Sequence, residues 1–180
     1  MAKFLNKIDD QVRKFIGEQK MFFTASAPKS GRVNLSPKGI NTFRCLDENT
    51  VCYLDLTGSG NETAAHVAEN GRLTIMFCSF ENAPLILRLY GTGEAVRQTS
   101  ERWNELSKLF DDFPGTRQII VLNVESLQTS CGFGIPLYEF VEDRKQLIDW
   151  AERKGGDGIN AYWHDKNQTS IDGLPTKIFD

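Results

Sequence analysis

Short apolar segments separated by polar turns run along most of the chain, and their period predicts more strand than helix. Helical spacing predicts an amphipathic helix over residues 3–18, a short helix over 64–70 closed by Gly71, and helices over 101–110 and 142–154. Period-two or continuous apolar segments predict strands. The expected strands are residues 21–26, 32–36, 50–56, 72–80, 84–96 (with a bend at G-T-G) and 117–127.

Strands that follow one another across short turns, with helices at the ends and in crossovers, are typical of a mostly antiparallel barrel. The regular β-α alternation of a doubly wound parallel sheet is missing. We therefore expect a mainly β protein with flanking helices, of the α+β class. Residues 1–180 are expected to form one domain, with the N-terminal helix at 3–18 and a C-terminal helical extension over 137–180.

The segment G-R-V-N-L-S-P-K-G, residues 31–39, alternates polar and apolar side chains. On a strand the polar residues can share one face while Val33 and Leu35 point into the core. A basic, hydrogen-bonding strand face suits an anionic ligand such as a phosphate, although an ordinary solvated edge strand has the same pattern. The polar members are Arg32, Asn34, Ser36 and Lys38.

A second polar segment, T-G-S-G-N-E-T at residues 57–63, opens the short helix. Backbone N–H groups at a helix N-terminus and the helix dipole favour anions, so this segment is a second candidate for phosphate binding. A capping box of Ser59 with Glu62, or an N-cap at Asn61, accounts for some of these residues. Capping does not account for Thr57, the glycines and Thr63 together.

Composition and charge exclude several functions. The formal net charge of -3 and pI near 5.5 argue against nonspecific nucleic-acid binding, which favours basic domains. An apolar run of roughly 18–20 residues, as a bilayer span requires, is missing, and the N-terminus lacks the features of a secretory signal. The four cysteines and two histidines are too widely spaced for zinc motifs or a disulfide framework, so we expect no metal site and a reduced, cytoplasmic setting.

Three classes of chemistry remain open from these residues. A redox enzyme with a phosphate-bearing cofactor needs only binding and orientation from the protein. A hydrolase or transferase would use Cys131 as nucleophile with His66 or His164 as base. A ligand-binding or storage protein would use the same pocket without turnover. Arg88, inside a predicted strand, needs water, a carboxylate or an anionic ligand as partner.

Taken in order, G-R-V-N-L-S-P-K-G, L-D-L-T-G-S-G-N-E-T, R-L-T-I-M-F-C-S-F and L-R-L-Y-G-T-G-E resemble the FMN-binding split barrels related to pyridoxamine 5'-phosphate oxidase. The resemblance covers about residues 20–97. S-C-G-F-G-I-P and the S-I-D-G-L-P segment are similar to a subgroup of that family. True pyridoxamine phosphate oxidases end with a basic R-x-H type motif, whereas this chain ends L-P-T-K-I-F-D, which puts vitamin B6 oxidation in doubt.

The resemblance implies a flavoprotein, an FMN-dependent oxidoreductase of unknown substrate that acts on a small molecule. It also implies a homodimer with flavin at the interface, to which residues 131–136 of the partner can contribute. A non-catalytic flavin-binding or storage protein and a deazaflavin-dependent reductase are the alternatives. The catalytic residues stay unknown. The implied cofactor contacts are Arg32, Val33, Asn34, Ser36, Lys38, Thr57, Ser59, Asn61 and Thr63.

Overall fold

The structure, a computed structural model, describes residues 2–81 and 83–180. Its strands are β1 (Lys3–Leu5), β2 (Phe22–Ser26), β3 (Asn34–Lys38), β4 (Phe43–Cys45), β5 (Thr50–Leu56), β6 (Arg72–Cys78), β7 (Leu85–Val96) and β8 (Thr116–Cys131). Its helices are α1 (Asp10–Glu18), α2 (Glu62–Asn70), α3 (Glu101–Leu106), followed by a 3-10 turn at Ser107–Leu109, and α4 (Gln146–Lys166), which is interrupted at Gly155.

The eight strands form one curled antiparallel sheet in the order β3-β2-β6-β7-β8-β5-β4, with β1 added to β8. This arrangement, with helices flanking a half-barrel, confirms the expected fold class. The bend at G-T-G is a β-bulge between Tyr90 and Gly91 where β7 crosses β8. A side chain on Gly91 would collide with the backbone of Asn123, so this close crossing of strands requires glycine.

Two apolar clusters fill the sheet and its flanks. The larger one packs α1, through Val12 and Ile16, against the inner face of the curled sheet. The smaller one packs α3 against β5 and β8, and it includes Leu106 with Trp103 and Phe110 at its edge. In residues 2–81 and 83–180, no helix has both the length and the apolar character needed to cross a bilayer.

The ends of several elements differ from prediction. The helix expected over 3–18 begins only at Asp10, because Asp9 caps it by accepting a hydrogen bond from the Val12 amide at 2.8 Å. The preceding residues form β1, which pairs with β8. The last helix was expected to end near residue 154, but α4 resumes after Gly155 and continues to Lys166.

The prediction that Val33 and Leu35 point into the core was also wrong: their exposed fractions are 73% and 64%. The reason lies in the pairing with β2, because directly opposed residues share a face of the sheet. Asn34 lies opposite the buried Ser26, and Ser36 lies opposite the buried Thr24. The polar side of β3 therefore faces inward, and the apolar side of this edge strand faces outward.

Candidate functional site

The inward polar face of β3 meets the first turn of α2. Asn34 Nδ2 donates to Thr63 Oγ1 at 3.1 Å and, more weakly, to Ser26 Oγ at 3.5 Å. Ser26 Oγ lies 3.0 Å from His66 Nδ1, one turn further along α2. The two polar segments that the sequence singled out are thus brought together by the hairpin of β2 with β3 and by the packing of α2 on β2.

The histidine of this cluster has an unmet hydrogen-bonding atom. Ser26 Oγ accepts from Asn34 Nδ2 and is within hydrogen-bonding distance of His66 Nδ1, where the histidine tautomer sets which group donates. His66 Nε2 is buried without a partner in the described part of the chain, and so is the hydroxyl of Tyr53. Burying unpartnered polar atoms is unfavourable, and such atoms mark positions where a polar ligand or water gains most.

Lys38 extends from the other end of β3 into a buried ion-pair cluster. Its Nζ lies 2.9 Å from Asp55 Oδ1, while Arg117 Nη2 and Gln118 Nε2 donate to Asp55 Oδ2 at 2.8 and 2.7 Å. Burial by itself would raise the pKa of Asp55, but the positive charges of Arg117 and Lys38 and their hydrogen bonds hold that pKa well below its usual range. Asp55 is therefore ionised, and both of its carboxylate oxygens accept hydrogen bonds.

The same cluster reaches the start of α2. Arg117 Nη1 donates to Gly60 O at 2.9 Å and to Asn167 Oδ1 at 2.7 Å, and Gln118 Nε2 donates to Asn61 Oδ1 at 2.8 Å. Asn61 occupies the N-cap position, but its side chain makes no capping bond because it is held inside the cluster. Asn61 is thus a buried structural link between β8 and the loop that opens α2.

The capping box predicted from Ser59 and Glu62 was wrong. The Glu62 carboxylate instead accepts from the backbone amide of Ile171 at 3.1 Å, and Ser59 is exposed. Ser59 Oγ makes no hydrogen bond within residues 2–81 and 83–180, so its hydroxyl is accessible. Thr57, by contrast, is buried: its hydroxyl donates to Gly115 O at 2.6 Å and accepts from Trp163 Nε1 at 2.8 Å.

The S-I-D-G-L-P segment lies beside the same surface. Asp172 forms an ion pair with the Arg32 side chain and accepts from the Arg32 backbone amide at 2.7 Å. These bonds and the Arg32 charge lower the pKa of Asp172. Sequence reasoning linked this segment to the family but missed its contact with Arg32, because the two are 140 residues apart. Asp55 and Arg117 were also missed, although Asp55 is a lone carboxylate in an apolar strand, which is a detectable signal.

A cleft of about 1090 Å³ lies at the far end of β3, with aromatic side chains among its lining. It lies between α1, the ends of β3 and β6, and residues 138–147. Of the nine predicted cofactor contacts it includes only Lys38. Phe80 and Tyr138 stack in its wall with ring centroids 5.5 Å apart. Its volume suits a small organic molecule.

Nothing in the described contacts supports the cysteine nucleophile. Cys131 is exposed at the end of β8, whereas His66 is buried against Ser26 and His164 stacks on Phe179 with ring centroids 4.0 Å apart. Arg88 is half-buried and donates to Ser130 Oγ at 3.2 Å. No metal-binding group of three or more His, Cys, Asp or Glu side chains occurs among residues 2–81 and 83–180.

Known proteins with this fold differ in what they bind. HupZ from Group A Streptococcus has a TM-score of 0.55 at 22% identity, covering 68% of this chain and 99% of that one. The FAD binding protein from Mycobacterium smegmatis scores 0.50 at 9% identity, covering 70% and 97%. HutZ from Vibrio cholerae, described as a heme storage protein, scores 0.50 at 17% identity, covering 71% and 98%. At such identities these structures support the fold alone.

Sequence similarity is more specific than fold. The family profile described as pyridoxamine 5'-phosphate oxidase matches residues 8–131. The pyridoxamine 5'-phosphate oxidase family protein ustO from Aspergillus flavus is 37% identical over 193 residues, which cover 97% of this chain and 78% of ustO. The profile includes β2 to β8 and thus both polar segments of the site. The chain belongs to the pyridoxamine 5'-phosphate oxidase family.

Proposed function

We propose that the protein is an FMN-binding oxidoreductase that acts on a small molecule. The observation that carries this proposal is the meeting of β3 and α2, where Asn34 donates to Thr63 at 3.1 Å. Two segments with suitable side chains for a phosphorylated ligand thereby form one surface. Membership of the family and the FAD binding protein with the same fold support flavin as the ligand.

The side chains on this surface suit a phosphate with a polar chain attached. Ser59 offers an accessible hydroxyl, and the α2 N-terminus supplies backbone amides and the positive end of its dipole. Arg32 is the most exposed cation of the set, with 67% of its side chain accessible. Asn34 uses its amide nitrogen inward, so the atom left for a ligand is the Oδ1 acceptor, which suits a ribityl hydroxyl.

Lys38 has a different role from the one expected of a free phosphate ligand. It is held in an ion pair with Asp55, which Arg117 shares, and only 22% of its side chain is accessible. Phosphate binding therefore depends more on the exposed Arg32, while Lys38 presents an anchored ammonium at the edge of the cleft. From Asn34 to Lys38 a strand extends about 13 Å, so one extended ligand can contact both ends of β3.

In this arrangement a bound flavin supplies the hydride chemistry, and the protein supplies binding and orientation. Lys38 would hold the polar edge of the ring system, and the aromatic wall of the cleft at Phe80 and Tyr138 would exclude water from one side. The cleft is large enough for a second, substrate molecule. The residues that distinguish one substrate from another would then lie at residues 138–147.

We also infer a homodimer. Residues 133–141 expose several large apolar side chains, and the outer side of β3 adds Val33 and Leu35. Exposed apolar side chains in such number are typical of surfaces that bind another protein. The flavin would lie near this interface, within reach of residues 131–136 of the partner. A cytoplasmic location is consistent with four free thiols, at Cys45, Cys52, Cys78 and Cys131.

The test is direct titration of the purified protein with FMN, with flavin fluorescence as the signal. We expect saturable quenching by FMN and a rise in thermal stability, and subsequent reduction of the bound flavin by a nicotinamide donor. Absence of both the quenching and the thermal shift would overturn the proposal. If FMN binds but neither reduction nor transfer to any acceptor is seen, the storage function is favoured. Binding of a deazaflavin in preference to FMN would favour the reductase alternative.

A further inference from the structure

Residues 168–176 form a small, self-contained hairpin beside the proposed phosphate surface. Within it, the Ser170 amide donates to Leu174 O at 2.8 Å and the Thr176 amide donates to Gln168 O at 2.9 Å. Its base is anchored by the buried Asn167 and Thr176, which are joined by a bond of 2.6 Å from Thr176 Oγ1 to Asn167 O. The tip carries Asp172, so the position of this carboxylate is fixed by an ordered element.

The tip of this hairpin is fitted closely to the start of the β3 segment. Asp172 contacts both the backbone amide and the guanidinium of Arg32. Gly31 has a φ of 135°, and a Cβ there would come within 2.6 Å of Asp172 Oδ2. Glycine at this position therefore permits the carboxylate to approach the backbone. The contact is built into both segments and is not a chance meeting of two long side chains.

The contact has an electrostatic consequence. Lys38 and Arg117 share the buried Asp55, whereas Arg32 is paired with Asp172 alone. Arg117 and Asp55 are almost inaccessible, with 3% and 5% of their side chains exposed. Arg32 is 67% exposed, and it is therefore the cation whose partner can be exchanged at least cost.

We propose that Asp172 is a specificity-determining residue: it is an internal counter-ion that competes with the phosphate of a ligand for Arg32. This inference rests on the proposed function, since it takes the phosphate to bind at this surface. Asp172 lowers the affinity for phosphorylated ligands relative to their unphosphorylated counterparts. A ligand therefore does not bind tightly through its phosphate alone and must also contact the rest of β3.

The test compares FMN with riboflavin, which lacks the phosphate, in titrations of the wild type and of Asp172→Asn at low ionic strength. Asparagine keeps an acceptor for the Arg32 amide but removes the charge. We expect Asp172→Asn to bind FMN about two- to fivefold more tightly and riboflavin with unchanged affinity. In an Arg32→Ala background the same substitution should have no effect on FMN, because the cation that is contested is gone.

The matched control is Glu94→Gln, which removes the carboxylate of another exposed ion pair, that with Arg102. It should change neither affinity. Should Asp172→Asn fail to fold, Asp172→Ser serves as a smaller neutral replacement in the same titrations. Equal changes for FMN and riboflavin, or weaker FMN binding, would overturn this inference alone. Absence of flavin binding by the wild type would overturn the proposed function and the inference with it.

Discussion

Two ion pairs flank the candidate site, and they differ in what surrounds them. The pair of Arg117 and Asp55 is buried, and it has further hydrogen bonds because Gln118 donates to Asp55 and Asn167 accepts from Arg117. The pair of Arg32 and Asp172 lies at the surface, where the Arg32 side chain is largely exposed. Water and salt screen the second pair but not the first. The buried pair therefore has a structural role, whereas the exposed pair can exchange its carboxylate for a ligand.

This difference reorganises the set of residues predicted from sequence. Residue type alone placed Thr57, Ser59 and Asn61 together as phosphate contacts. Their surroundings separate them, because the side chains of Thr57 and Asn61 are buried and hydrogen-bonded, while Ser59 is exposed. Substituting the buried and the exposed members one at a time, and measuring stability and FMN affinity separately, tests whether their roles differ.

The largest effect is expected from Asp55→Asn. Neutralising Asp55 leaves the Arg117 guanidinium buried without its counter-ion, which should lower the free energy of unfolding by about 3–5 kcal/mol. Urea unfolding of the two proteins measures the difference. Asp172→Asn is the matched control at the exposed pair and should cost far less. Similar losses in both variants would contradict the distinction between the pairs.

The free energy of unfolding at acid pH should also depend on the buried Asp55. The pKa of Asp55 is lowered in the folded state, so between that pKa and the ordinary carboxyl pKa of about 3.9 the unfolded state binds more protons. The stability that Asp55 contributes is therefore fully present above about pH 5 and is lost as the pH falls. Urea unfolding from neutral to acid pH should show a shallower loss in Asp55→Asn. Parallel curves would be inconsistent with an ionised, engaged Asp55.

Thr57→Val should reduce stability without weakening the ligand contacts. It removes the hydroxyl that donates to Gly115 O and accepts from Trp163 Nε1, so each of these two groups loses one hydrogen bond. We expect the free energy of unfolding to fall by about 1–3 kcal/mol, with FMN affinity unchanged in the protein that remains folded. A large loss of FMN affinity with full stability would assign Thr57 to the ligand instead.

Ser59→Ala should show the reverse pattern, with the smallest effect on stability. Its hydroxyl is exposed and makes no hydrogen bond in the described part of the chain, so stability should change by less than about 0.5 kcal/mol. Loss of one hydrogen bond to a charged phosphate should weaken FMN binding by about 1.5–3 kcal/mol. Titration with FMN and urea unfolding of the same preparation check both numbers. Unchanged FMN affinity would move the phosphate away from the α2 loop.

Most of the fold could be predicted from the sequence because its signals are local. The strand Thr50–Leu56 and the end of α2 at Gly71 follow from an apolar segment and from a glycine in the left-handed conformation. The face of β3 could not be predicted in this way. Alternation of polar and apolar residues indicates only that the two faces of a strand differ. Which face lies inward depends on the pairing with the buried polar residues Thr24 and Ser26 on β2.

The site was predictable where its residues are close in sequence and unpredictable where the chain returns from far away. Asn34 and Thr63 meet as expected of two neighbouring segments. The contacts of Arg117 with Asp55 and of Asp172 with Arg32 join residues 62 and 140 positions apart. Periodicity carries no information about such pairs. Both pairs place a carboxylate beside a cation. The net positive charge of the predicted phosphate surface is therefore smaller than its own cations suggest.

Titration of wild type and Arg32→Ala with FMN and with riboflavin shows whether this surface binds the phosphate of a flavin. Arg32 is the cation best placed for exchange, so Arg32→Ala should weaken FMN binding about tenfold or more and leave riboflavin binding unchanged. Arg102→Ala, which breaks the exposed pair with Glu94, is the control and should alter neither. Equal FMN affinity in wild type and Arg32→Ala would contradict the account.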